Sequence, residues 1–326
     1  MKIFVYSCRD DEKVLFDKYE KDWNLELGFC KTQPLMENAH LAKGYPCISI
    51  VGTIVSDELL REFADMGVKL IATRSIGYEH VNTKLARELG ITVASIVYSP
   101  NAVADFAIML MLMSLRKAKY ILERYRVRDN TLLWNRGREL RNMTVGIVGG
   151  GRIGRTVMQE LSGFGCKLLV YDKFQNDAVK KMATYVEFDE LLAQSDVISF
   201  HAPSTPDTYH LLNMDSVKKL KKGAVIINTS RGALIDNKAL IYGLEQKIIS
   251  AVGIDVIDGE PVVYNVDFKD ELFIHHDVAV LESYPNVIIT PHTAFFTDQA
   301  VSDMVENSLR NCVCFYEGEK IPGQVN

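Results

Sequence analysis

The sequence predicts an α/β fold built from two doubly wound parallel sheets. Three observations carry that expectation. Short apolar runs alternate with amphipathic segments along the chain; 326 residues exceed what one core usually serves; and a glycine-rich turn follows one apolar run and opens a helical pattern. The composition is that of a soluble globular protein, 48% hydrophobic and 24% charged. With 37 basic against 42 acidic residues and no Lys/Arg-rich stripe, nucleic acid is a poor partner. The most apolar stretch, Phe106 to Leu115, is far short of the ~20 residues that span a bilayer, so no membrane role is expected. Asp10, Asp11 and Glu12 interrupt the place where a secretory signal would continue. The six cysteines are scattered, which suits reduced thiols in the cytoplasm.

Taken in order, KIFVYS (Lys2 to Ser7), CISIV (Cys47 to Val51), KLIATRS (Lys69 to Ser75) and ITVASIV (Ile91 to Val97) read as buried strands. Between them, Asp57 to Met66 places Leu59, Leu60, Phe63 and Met66 on one helical face. Ser99 followed by Pro100 reads as an N-cap with proline in the first helical position, opening a long helix to about Arg124. The domain junction is expected there. Met109, Met111 and Met113 in that helix form a core face. From Met143 the alternation restarts with TVGIV, KLLVYD, DVISFHA, AVIINTS, SAVGIDV and NVIIT, six strands about 25 residues apart, the interval of a strand plus a crossover helix. One amphipathic segment, Asp298 to Phe315, remains.

Directly after TVGIV stands Gly149-Gly150-Gly151-Arg152-Ile153-Gly154, a G-x-G-x-x-G in its required strand-turn-helix context. Gly149 permits the tight turn, Gly151 admits a pyrophosphate close to the backbone, and Gly154 lets helix and strand pack. Asp172 ends the next strand about 20 residues on, where a carboxylate accepts from a ribose 2′-hydroxyl and repels a 2′-phosphate. The expected cofactor is therefore NAD rather than NADP, with Lys173 leaving room for some dual use.

Three further residues follow successive strands at their carboxyl ends, the edge where open parallel sheets bind ligands. Arg231 in NTSRG offers a planar fork for a carboxylate, and His292 in TPHTA brings an imidazole, the side-chain type best suited to exchange a proton near neutral pH. Glu260 in DVIDGEP is a carboxylate able to orient that imidazole. Singly each is unremarkable; together they suit reduction of a 2-keto acid. The pair His275 and His276 beside Asp277 reads as a solvated loop, and no metal is expected. His40, His80 and His210 belong to no constellation.

The set YSPNAVAD, GGGRIG, the Asp172 strand end, HAP at His201, NTSRGALID, DVIDGEP and ITPHTAFF resembles the D-specific 2-hydroxyacid dehydrogenases. Within them it is most similar to the D-lactate dehydrogenase branch, which includes the vancomycin-resistance reductase type. The resemblance implies an NAD-binding domain, 100–297, inserted into a discontinuous catalytic domain, 1–99 and 298–326. It implies Arg231 on the substrate carboxylate, Glu260 as partner of His292, and His292 as proton donor. It also places Arg152, Ile153, Asp172, Ala202, Pro203, Thr229, Ser230 and Asp255 around the cofactor, Ile76 and Gly77 on the substrate carboxylate, and Tyr98 and Phe295 along the pocket. A homodimer is implied as well. The expected reaction is pyruvate to D-lactate with NADH. Val51-Gly52-Thr53 replaces an aromatic found in some D-lactate enzymes, so bulkier acids such as 2-ketoisocaproate or phenylpyruvate form the alternative. A cofactor-sensing, corepressor-like interaction protein is the rival from another class.

Overall fold

The computed structural model describes residues 1–259 and 275–326, which form two compact units, Met1–Ser99 with Phe296–Asn326 and Pro100–Phe295. The first unit begins with β1 (Lys2–Val5), α1 (Asp10–Asp22), β2 (Glu26–Phe29), β3 (Cys47–Ile50), α2 (Asp57–Asp65), β4 (Leu70–Thr73), α3 (Thr83–Glu88) and β5 (Thr92–Ala94). Its strands are all parallel, in the order β2-β1-β3-β4-β5. In-register rows bury alternately: Phe4, Ile48, Ile71 and Val93 on one face, Ile3, Cys47 and Leu70 on the other. A sheet apolar on both faces needs helices on both, and each fully buried aliphatic side chain contributes about 1.5–3 kcal/mol. The strand β2 lay outside the sequence-based expectation. Its ELGF run is only partly buried and carries neither an apolar run nor strict alternation.

The second unit opens with α4 (Asn101–Leu115) and α5 (Ala118–Arg126). The single helix expected from Ser99 to Arg124 is therefore two, and its N-cap is Pro100 rather than Ser99. Lys117 breaks it in the left-handed region at φ +55°. That conformation costs about 1–2 kcal/mol for a residue with a Cβ. Tertiary bonds offset it: Lys117 Nζ donates to the Trp134 carbonyl at 2.7 Å, and Lys119 Nζ to the carbonyls of Glu282, Tyr284 and Val287, each at 3.0 Å. Met111 is fully buried as expected of a core face, whereas Met109 is exposed.

The unit continues with β6 (Thr144–Val148), α6 (Arg152–Leu161), β7 (Lys167–Tyr171), α7 (Asp177–Lys180), β8 (Thr184–Tyr185), α8 (Phe188–Gln194), β9 (Val197–Phe200), β10 (Ala224–Asn228), α9 (Asn237–Glu245), β11 (Ile249–Ile254), α10 (His276–Ser283) and β12 (Val287–Ile289). All strands run parallel in the order β12-β11-β10-β9-β6-β7-β8, so the described residues add the two-residue edge strand β8 to the six expected. The order reverses between β6 and β9, the switch point at which such sheets bind ligands. His275 caps α10 and His276 begins it, so this pair opens a helix instead of lying in a loop.

The chain then re-enters the first unit at Phe296, slightly ahead of the position 298 expected. There α11 (Asp298–Glu317) starts on the Thr297 hydroxyl, which accepts from Ala300 N–H at 3.2 Å, and stops at Gly318 in the left-handed region. Its Val305, Leu309 and Cys312 close the face carrying Ile3 and Leu70. Among the described residues no helix is long and apolar enough to cross a membrane.

Candidate active site

The second unit's parallel strands bring the candidates to one edge. Reading across the carboxyl ends gives His292 after β12, Asp255 after β11, Arg231 after β10, Ala202 and Pro203 after β9, the glycine turn after β6, and Asp172 after β7. Five strand spacings separate the extremes, roughly 24 Å. Glu260 lies outside the described residues.

At the glycine turn, Gly149 has φ +100°, and a Cβ there would come within 2.7 Å of the His201 carbonyl carbon. A Cβ on Gly154 would lie 1.9 Å from the Gly149 oxygen, which is why helix and turn close only on glycine. Gly151 differs, because a Cβ would meet nothing within 4 Å. Open space therefore lies over the N-terminus of α6, which has no side-chain cap, so its first N–H groups and positive dipole face that open space. Asp172 accepts from Gly150 N–H at 2.6 Å through Oδ2 and from Phe174 N–H at 2.8 Å through Oδ1. It is thereby fixed beside the turn.

The HAP segment and the NTSRG turn are stitched together. Asn228, 1% exposed at the end of β10, donates to the Arg231 carbonyl at 2.9 Å and accepts from Ser230 N–H at 3.0 Å. Ser230 Oγ donates to the Ala202 carbonyl at 2.7 Å. Buried Thr229 keeps a hydroxyl with no hydrogen-bond partner among the described residues. Such an orphan is costly unless a ligand satisfies it. The open glycine cradle, the uncapped helix end, the fixed acid and this hydroxyl suit a dinucleotide. His201 is buried, its Nε2 sharing a hydrogen bond with Ser199 Oγ at 2.8 Å, and burial pushes its pKa down to about 3. It is neutral at physiological pH.

Arg231 is half-buried, and one of its guanidinium nitrogens donates to the Ser230 carbonyl at 2.8 Å. The next residue explains how closely the adjacent loop lies: a Cβ on Gly232 would sit 2.0 Å from the Ile257 oxygen. His292 is also half-buried, with φ +53°, a strained conformation for a residue other than glycine. Asp255 imposes it. This carboxylate, fully buried, accepts from Thr290 Oγ1 at 2.6 Å, Thr293 N–H at 2.9 Å and Ala294 N–H at 2.8 Å, while its carbonyl accepts from His292 N–H at 2.9 Å. Burial pushes the Asp255 carboxyl up and those hydrogen bonds oppose the rise. Phe295 meets the His292 ring edge to face at 6.3 Å.

Sequence reasoning placed Asp255 by the cofactor and missed its grip on the histidine turn. It also missed His210, whose Nε2 hydrogen-bonds Asp258 Oδ2 at 2.9 Å and whose ring stacks on Tyr209 at 3.9 Å. No local signal links residues 48 positions apart. Among the described residues no cluster of His, Cys, Asp or Glu is arranged to hold a metal ion.

In the first unit, Ile76 and Gly77 follow β4 and Tyr98 follows β5. Their loop is anchored by Arg74, fully buried, which donates to Glu12 Oε1 at 3.1 Å, Ser49 Oγ at 3.0 Å and the Tyr6 carbonyl at 2.8 Å. Ser75 Oγ donates to the Gly77 carbonyl at 2.6 Å. Such a satisfied buried ion pair rigidifies the strand end.

Comparisons with known proteins identify the family. Residues 108–294 match the model of the D-isomer specific 2-hydroxyacid dehydrogenase, NAD binding domain. A D-specific alpha-keto acid dehydrogenase of Enterococcus faecalis is 39% identical over 316 residues, 97% of each chain. An aromatic 2-oxoacid reductase of Clostridium sporogenes is 40% identical over 95% of each. The crystal structure of a D-lactate dehydrogenase from Treponema pallidum superposes with a TM-score of 0.90 at 32% identity, covering 100% of both chains.

Proposed function

Because the chain belongs to the D-isomer specific 2-hydroxyacid dehydrogenases, NAD-dependent oxidoreductases, we propose that it reduces pyruvate to D-lactate, with Arg231 and His292 as its catalytic side chains. The observation that carries this reading is the shared sheet edge, where Arg231, the Asp255-clamped turn of His292 and the glycine cradle all follow carboxyl ends of strands in one sheet. The residues holding NAD would be Gly149, Gly151, Arg152, Ile153, Gly154, Asp172, Ala202, Pro203, Thr229 and Ser230, with Asp255 behind them. When bound, NADH supplies the hydride.

Arg231 holds the substrate carboxylate in its planar fork and stabilises charge developing on the carbonyl oxygen. The His292 imidazolium gives that oxygen its proton, and Glu260 keeps the imidazole in the required tautomer. Ile76 and Gly77 offer N–H groups to the carboxylate, and Tyr98 and Phe295 line the pocket. A comparison of kcat/KM for pyruvate, 2-ketoisocaproate and phenylpyruvate tests the substrate, with pyruvate expected highest. A preference for either larger acid would give the second reading, which the small side chains of Val51-Gly52-Thr53 favour.

A cytoplasmic location belongs to the same reading, supported by six free thiols. So does a homodimer. Along α5 and the segment after it, Leu122, Tyr125, Val127, Leu132, Leu133 and Trp134 are 57–88% exposed, an apolar surface unusual for a monomer. Arg124 stiffens it by bonding Asp129, Thr131 and the Leu133 carbonyl. Sedimentation should show a dimer that Leu132→Glu weakens; a monomeric wild type would refute this part.

A further inference from the structure

His210 takes no part in the chemistry above, but it joins the two segments that meet beside Arg231. Its main-chain N–H donates to the Ala233 carbonyl at 2.8 Å, in the 3₁₀ turn Gly232–Leu234 that directly follows Arg231. Its ring reaches the other way, Nε2 lying 2.9 Å from Asp258 Oδ2 in the loop after β11. Turn and loop are themselves in close contact, since a Cβ on Gly232 would stand 2.0 Å from the Ile257 oxygen and 2.6 Å from Asp258 N. One residue thus ties together both sides of a junction adjacent to Arg231 in the chain.

His210 is itself held in place. Asn213 Nδ2 donates to its carbonyl at 2.9 Å, and Leu212 N–H donates to the Leu234 carbonyl at 3.1 Å, which pairs the segment with the same turn. Its backbone is left-handed at φ +49°, a conformation that costs a residue with a Cβ and persists where the surroundings over-determine it. Asp258 is gripped at two points, because its carbonyl also accepts from the buried Asn237 Nδ2 at 3.2 Å. Among the described residues no lysine or arginine forms an ion pair with Asp258, and the imidazole fixes the carboxylate instead. Both side chains are largely shielded, so water competes only in part for a hydrogen bond to a charged acceptor.

We propose that His210 is a positioning residue: through Asp258 it holds the loop after β11 against the Gly232 turn, and so keeps the Arg231 guanidinium where the keto-acid carboxylate meets it. The inference rests on the role given to Arg231 above. A planar fork makes its two parallel bonds only in one orientation, so a small displacement of its turn weakens carboxylate binding.

The test is steady-state kinetics of the intact enzyme with NADH and the keto acid of highest kcat/KM, beside NADH affinity from fluorescence titration. His210→Leu removes the ring's hydrogen bond, whereas His210→Gln keeps an N–H donor for Asp258. Both variants meet the same left-handed backbone, so their difference isolates that bond. His210→Leu should raise the keto-acid KM at least about fivefold with NADH affinity within roughly threefold of wild type, and His210→Gln should stay within roughly twofold of the wild-type KM. General destabilisation would lower kcat through the active fraction and leave KM unchanged. Asp258→Ala breaks the same contact without altering residue 210 and should match His210→Leu, and the double variant should raise KM no further than the larger single effect. A wild-type KM in Asp258→Ala or in a folded His210→Leu, a His210→Gln as impaired as His210→Leu, or effects that multiply in the double variant would overturn the inference. Arg231→Gln separates it from the reading it rests on: full activity there would overturn both, whereas an inactive Arg231→Gln beside a His210→Leu of wild-type KM would overturn the positioning role alone.

Discussion

Replacing Asp255 with asparagine should loosen the turn that presents His292. The carboxylate is wholly buried and accepts three hydrogen bonds, from Thr290 Oγ1, Thr293 N–H and Ala294 N–H, with both oxygens engaged. Asparagine offers a single acceptor oxygen. If it stays with Thr290 and Thr293, the amide NH2 faces the Ala294 N–H, so one hydrogen bond to a charged acceptor is lost and two donors oppose each other. A lost bond of that kind costs about 1.5–3 kcal/mol. Removing a buried charge returns part of this, since burial already pushes the Asp255 carboxyl up. A net loss of roughly 2 kcal/mol in a unit of this size lowers the unfolding midpoint by about 4–8 °C. The His292 backbone, strained at φ +53°, should relax once its clamp weakens, and kcat should fall by about tenfold or more. Scanning calorimetry and NADH oxidation at saturating keto acid measure the two effects. A variant with wild-type midpoint and wild-type kcat would refute the clamp.

Three other outcomes follow from the geometry. Asp172→Asn keeps the hydrogen bond to Phe174 N–H but removes the charge, so the kcat/KM ratio of NADPH to NADH should rise at least tenfold, about 1.4 kcal/mol; an unchanged ratio would remove Asp172 from cofactor selection. His201 folds with its pKa lowered to about 3 from the ordinary 6.5. The unfolded chain therefore binds the proton more readily, and the stability from keeping this ring neutral is complete above pH 6.5 and lost as pH falls toward 3. Its full size is on the order of 5 kcal/mol. In urea titrations between pH 7 and 4, His201→Gln should lose stability less steeply than wild type, and parallel slopes would contradict the assignment. Gly232→Ala should destabilise strongly, because the added methyl would meet the Ile257 oxygen at 2.0 Å; a variant that folds and turns over normally would show that the two loops are less tightly joined.

The doubly wound architecture was legible because buried parallel strands are continuous apolar runs, as in AVIIN and TVGIV, and because the glycine turn sits in its strand-turn-helix frame. The edge carrying Arg231 and His292 followed from the same reading, since each of the two trails a strand. What escaped had non-local causes. The break at Lys117 has no glycine or proline to announce it and depends on carbonyls more than 160 positions away. The edge strand β8 has two residues, too few for a period. The grip of Asp255 on the His292 turn, the buried Arg74–Glu12 pair and the His210–Asp258 contact each join distant segments, so residue type alone could nominate them without assigning their partners.

The central claim is that His292 delivers the proton to the substrate oxygen. Single-turnover oxidation of bound NADH by saturating keto acid, comparing wild type with His292→Ala and with NADH affinity measured separately, tests it most directly. The expected result is a loss of about 10²- to 10⁴-fold in rate at unchanged NADH affinity. A rate within a few-fold of wild type would contradict it.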